Sequence, residues 1–110
     1  MLRLLSILVV FLALTQCVKA GGFPTDQVQH LEGKRLYVLH CTRCHNANPR
    51  NAGSIGPELY TTPSNVFRTK VPTGTYPSGY TPKRRTKIMP KFKGLTNKTD
   101  LIYNYVRSIK

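Results

Sequence analysis

The chain has 110 residues, with 17 Lys and Arg against four Asp and Glu, a formal net charge of +13. That length holds one small domain and excludes a large, self-sufficient core. The basic balance points to acidic partners or anionic surfaces.

The first stretch carries Arg3, an apolar run from Leu4 to Leu14 interrupted only by Ser6, and Val18-Lys19-Ala20. This is the pattern of a secretory signal peptide over residues 1–20, with cleavage expected after Ala20 and residues 21–110 as the exported domain. The apolar run falls short of the roughly 20 residues that span a bilayer, so a retained anchor is the weaker reading. Leu14-Thr15-Gln16-Cys17 faintly resembles a lipoprotein acceptor site, with a bulky Gln16 where a small residue belongs. Cleavage removes Arg3 and Lys19, which leaves fifteen basic residues against Asp26, Glu32, Glu58 and Asp100, a net +11. It also removes Cys17 and Met1, so the exported chain has two cysteines and no spare pair for a structural disulfide. The expected compartment is the periplasm.

After a flexible leader from Gly21 to Pro24, Thr25 is placed to cap a helix, with Asp26 near its positive end. Val28, Leu31, Leu36, Val38 and Leu39 fall in one arc at 100° per residue, interrupted by Glu32 and Arg35. Gly33, Tyr37 and Cys41 recur every fourth residue and so share a face.

Cys41-Thr42-Arg43-Cys44-His45 follows directly. In the spacing C-x-x-C-H, two thiols on one helical turn can add across the two vinyl groups of a haem, and the next residue supplies an imidazole to its iron. One covalent haem c on Cys41 and Cys44, with His45 as the proximal ligand, is the expectation. A zinc site and a dithiol redox pair are the alternatives. Zinc needs four ligands, and His30 and His40 are the residues that would complete the set, although the expected helix places both towards solvent. A dithiol pair calls for a βαβ context that this sequence lacks. A covalent haem would supply the apolar surface that so short a chain is missing, so the apoprotein is expected to fold poorly.

Asn46 to Ser54 has loop composition, and Gly56-Pro57 follows. A short helix is expected over Ser64 to Lys70. Val71 to Pro82 is rich in Pro, Gly, Thr and Tyr and is expected to be irregular, with Pro72, Pro77 and Pro82 breaking regular structure. Such a stretch suits a compact domain when it wraps an object. Lys83, Arg84, Arg85, Lys87, Lys91 and Lys93 flank Met89-Pro90. With Met1 removed, a thioether ligand to the iron must be Met89; Lys87 and Lys91 are the remoter alternatives. Asn97 is the expected cap of a last helix, on which Leu101, Ile102, Tyr105, Val106 and Ile109 form an apolar stripe. Asn97-Lys98-Thr99 matches a glycosylation acceptor and is discounted for a bacterial-style exported protein.

Together these residues resemble a class I c-type cytochrome over Gly33 to Ile109. The resemblance implies an all-α fold, the small cytochrome c fold, in which the N- and C-terminal helices pack against each other around one covalently bound haem. It implies that Gly33 and Tyr37 pack on the final helix near Ile102 and Tyr105, and that the Pro57 carbonyl accepts a hydrogen bond from His45. Met89-Pro90 matches the family's distal methionine. The Tyr60 to Lys87 segment has no counterpart in the pattern, so no residues for the haem propionates are implied.

Filled axial positions imply electron transfer and no catalysis, and His/Met ligation raises the potential relative to bis-histidine. The cations beside Met89 imply docking with acidic redox partners. Nucleic acid is not an expected partner, whereas weak contact with anionic lipid headgroups is. A haem-bearing subunit of a larger complex, or a five-coordinate binder of small gases, is the alternative.

Overall fold

The computed structural model describes residues 21–22 and 24–110; the expected signal peptide and its cleavage point lie outside the described residues. Helix α1 spans Thr25–His40, α2 spans Ser64–Thr73, a 3₁₀ turn covers Lys93–Leu95, and α3 spans Thr99–Ser108. Among the described residues there is no strand, and the all-α expectation holds. None of the described helices is long and apolar enough to cross a membrane.

Helix α1 starts behind Pro24, so Thr25 is its first residue and not its cap, and Asp26 sits in the first turn. The face it buries carries Gly33, Leu36 and Tyr37. Of the expected apolar arc only Leu36 is buried: Val28, Leu31, Val38 and Leu39 are 52% to 60% exposed. Close approach decided the orientation. A Cβ on Gly33 would strike the Leu101 carbonyl and lie 3.0 Å from the Cβ of Tyr105, so only glycine admits the α3 backbone here. That approach sets Tyr37 against Tyr105, with ring centroids 5.5 Å apart and planes tilted by 48°. Tyr37 and Ile102 are completely buried in the resulting core.

Helix α3 buries Thr99, Ile102, Tyr105 and Val106. Leu101 and Ile109 of the expected stripe are only partly buried at its margin. Asn97 does not cap it: the helix begins after Lys98, without a side-chain cap. Asp100 in its first turn instead accepts a hydrogen bond from Arg68 Nε of α2 at 2.8 Å. Both side chains of that pair are well exposed, so it adds little stability.

Helix α2 runs three residues past Lys70 and includes Pro72, against the expectation of irregular chain from Val71. Proline forfeits the bond to the carbonyl four residues back. In the last turn that loss is confined to one carbonyl, and Val71 and Pro72 are both buried. Gly74, with φ of 75°, ends the helix.

Beyond it the chain lacks regular structure but is packed. Tyr76 and Tyr80 stack with centroids 5.5 Å apart. Upstream, the guanidinium groups of Arg50 and Arg107 lie over the Tyr60 ring, 4.0 Å and 4.5 Å from its centroid. Arg107 also donates to the Tyr60 carbonyl at 2.5 Å, and Arg50 Nε donates to the Ile109 carbonyl at 3.1 Å. The C-terminal end is thereby tied to the segment that follows the cysteine motif.

Candidate functional site

The end of α1 builds the site. Cys41 is its C-cap and donates its N–H to the Tyr37 carbonyl at 2.9 Å. The turn continues as the Cys41 carbonyl accepts from Cys44 N–H at 3.3 Å and from His45 N–H at 2.9 Å. Tyr37 fastens the exit, its hydroxyl donating to the Asn46 carbonyl at 2.5 Å. Burial pushes the Tyr37 phenol well above its ordinary pKa, so it remains a donor.

The loop after His45 folds back beneath the imidazole. Gly56 N–H donates to the Cys44 carbonyl at 2.8 Å, and Gly53 N–H donates to the Gly56 carbonyl at 2.9 Å. A Cβ on Gly56 would lie 2.5 Å from His45 Nδ1 and 2.8 Å from Nε2, so the ring occupies the space a side chain would need. His45 Nδ1 lies 2.8 Å from the Pro57 carbonyl. A carbonyl only accepts, so Nδ1 carries the proton, and in the neutral ring Nε2 keeps its lone pair for a metal. Burial lowers the pKa of His45 and Arg84 adds to the effect, outweighing the opposing pull of the Pro57 carbonyl.

Cys41 and Cys44 are free thiols. Burial, reinforced by Cys44, pushes the Cys41 thiol up to about 12. A thiol held protonated is a poor partner for disulfide exchange, which weakens the dithiol reading. Among the described residues no three His, Cys, Asp or Glu side chains converge on a metal position, which weakens the zinc reading.

Cys41, Cys44, His45, Pro57 and Met89 all line a single cleft, with about 1180 Å³ of empty space when the open solvent at its mouth is included. Leu59, Val66, Phe67, Phe92, Leu95 and Ile102 form much of its wall. Met89 thus shares a cleft with the cysteine motif from 44 positions away in sequence, carried on a segment without regular structure. His30 lies outside this cleft, exposed and edge-on to Tyr105. His40 does not face solvent as expected: it is half-buried, lines the cleft, and packs against Phe92 with centroids 5.6 Å apart.

The basic run beside Met89 divides in two. Lys83 pairs with the Glu58 carboxylate and donates to Thr61 Oγ1 at 2.9 Å and Thr62 Oγ1 at 3.1 Å. Arg84 donates to the carbonyls of Ile55 at 2.6 Å and Gly53 at 3.1 Å. These two cations fasten the segment to the rest of the chain, whereas Arg85, Lys87, Lys91 and Lys93 are exposed. Sequence reasoning missed Lys70, which lines the cleft although only 8% of it is exposed. The available signal was its spacing, four residues after Val66 and three after Phe67, on the face that α2 buries. No known protein family, curated protein or solved structure matches this chain.

Proposed function

We propose that the protein is an exported, class I monohaem cytochrome c that carries single electrons between other proteins. The observation that carries this reading is the convergence of Cys41, Cys44, His45 and Met89 on one largely apolar cleft, with His45 oriented by the Pro57 carbonyl. Cys41 and Cys44 would hold the haem by thioether bonds, and His45 and Met89 would be the axial ligands. When bound, the haem supplies a one-electron ferric/ferrous couple.

The chain's own part is to hold, orient and exclude. The Pro57 carbonyl fixes the imidazole tautomer and strengthens its donor character. A neutral His45 and a neutral thioether leave the ferrous state without an added negative ligand, which favours the electron-rich form. The apolar wall would limit the access of water to the iron. With both axial positions held by the protein, the reading is a carrier and not an enzyme. Arg85, Lys87, Lys91 and Lys93 would meet acidic surfaces on a donor and an acceptor, and bring weaker contact with anionic lipid. Steering of this kind lifts association towards about 10⁸ to 10⁹ M⁻¹s⁻¹ at low salt.

Mass spectrometry and oxidised and reduced absorption spectra of periplasmically matured protein test the reading. The expected result is a covalent haem adduct, six-coordinate in both states, with a long-wavelength sulfur-to-iron band that Met89→Ala abolishes. A bare chain mass overturns it. Rapid, tight carbon monoxide binding by the reduced wild-type protein would favour the open-site gas binder instead.

A further inference from the structure

The charged side chains that line the cleft are of one sign. Arg43, Lys70, Lys83 and Arg84 line it, and among the described residues no Asp or Glu does. Three of these cations need no ligand there: Lys83 is paired with Glu58, Arg84 is bonded to two carbonyls, and Arg43 is exposed. Lys70 differs. Its side chain is buried, yet among the described residues its ammonium has a single hydrogen bond, to the Gly74 carbonyl at 2.8 Å, and no carboxylate partner. The Tyr76 ring supports it from one side, with Nζ 4.2 Å from the centroid. Burial raises the pKa of Tyr76, with Tyr80 adding to the shift, so that phenol stays neutral.

An ammonium has three donors, and a buried charge is retained when it is paired. Lys70 therefore has donors to spare and lacks a counter-charge, in the wall of a cleft that otherwise suits an apolar ring. We infer that Lys70, backed by Tyr76, forms the carboxylate-binding corner of this cleft and takes one propionate of the porphyrin. This rests on the haem reading above and supplies the propionate contact for which the sequence offered no candidate. The ammonium neutralises a carboxylate that would otherwise stabilise ferric iron, so Lys70 favours the reduced form.

The test is Lys70→Met in the matured holoprotein, with Lys34→Gln as an exposed control that removes one charge. The expected result is about a tenfold shift of the electron-exchange equilibrium towards the oxidised form, about 59 mV for a one-electron couple. The propionate bending band in the resonance Raman spectrum should move as well, and the control should change neither. A potential and band matching wild type overturn the inference. A shifted potential with an unmoved band also overturns it, because Lys70 then acts only through space. Should Lys70→Met fail to mature, Lys70→Arg decides: a displaced propionate band at near-wild-type potential supports the contact, and an unmoved band refutes it. Wild-type protein without covalent haem would be a failure of the haem reading itself.

Discussion

The two sides of the cleft are held in different ways. The His45 side is a loop locked by its own backbone: Gly56 N–H to the Cys44 carbonyl, Gly53 N–H to the Gly56 carbonyl, and the imidazole seated against Gly56 and bonded to Pro57. The Met89 side is a strap without regular structure, tied at one end by Lys83 and Arg84 and at the other by Phe92 N–H to the Val71 carbonyl at 2.7 Å. A backbone lock resists side-chain change and yields only to steric insult, whereas a side-chain tether can be cut. On the haem reading proposed above, the imidazole is therefore the fixed ligand position, and the thioether is the one that local opening would release first.

The largest expected effect attacks the lock. Gly56→Val places two methyl groups in the space of the His45 ring, and overpacking of this kind costs about 1–3 kcal/mol. The expected outcome is a lower denaturation midpoint together with loss of His45 ligation in the spectrum of the holoprotein. A variant with wild-type stability and spectrum would show that the loop yields, and the contrast between the two sides would fail.

Cutting the tether comes next. Lys83→Met with Arg84→Met removes the bonds to Glu58, Thr61, Thr62, Ile55 and Gly53 and leaves Met89 and His45 in place. Bonds made by charged groups are worth about 1.5–3 kcal/mol when buried and less at the surface, so about 2 kcal/mol for the pair is a reasonable expectation. That corresponds to a roughly thirtyfold rise in the open population, read as faster carbon monoxide binding by the reduced protein. Equal carbon monoxide rates in variant and wild type would mean that the strap is held elsewhere.

What was legible in the sequence follows the same divide. Cys41, Cys44 and His45 are neighbours in the chain, so one turn of backbone assembles them, and the shared face of Gly33, Tyr37 and Cys41 follows from helical period alone. The exposed Val28, Leu31, Val38 and Leu39 misled because periodicity finds an apolar face without saying whether anything covers it. The fit of Gly33 to the α3 backbone decided that, and it depends on a contact 68 residues away. Lys83 and Arg84 read as surface charges because the acceptors of Arg84 are backbone carbonyls 29 and 31 residues distant, which no residue type announces. Lys70 was missed because the packing of α2 buries it beside Val66 and Phe67, which the residue type of a lysine does not announce.

The smallest expected effect uses acid in place of mutation. Burial raises the Glu58 carboxyl, but hydrogen bonds from Lys83 and Thr61 outweigh it and leave its pKa below the ordinary carboxylate value. A carboxyl with a depressed folded pKa contributes stability that is fully present above the unfolded value and is lost as pH falls through the folded one. Acid should therefore loosen the strap below the usual carboxylate range and leave it unaffected at neutral pH. Both side chains of the Lys83–Glu58 pair are about a quarter exposed, so solvent screening limits the effect to about 1 kcal/mol or less. Titrating the sulfur-to-iron band downward in pH checks this, with Glu58→Gln as the comparison. The wild-type band should weaken at higher pH than the global unfolding signal does, and the variant should begin weaker and lose that separate phase. If the two proteins titrate together, Glu58 does not govern the strap, and Arg84, the Lys83 bonds to Thr61 and Thr62, and the Phe92–Val71 bond hold the methionine side closed without it.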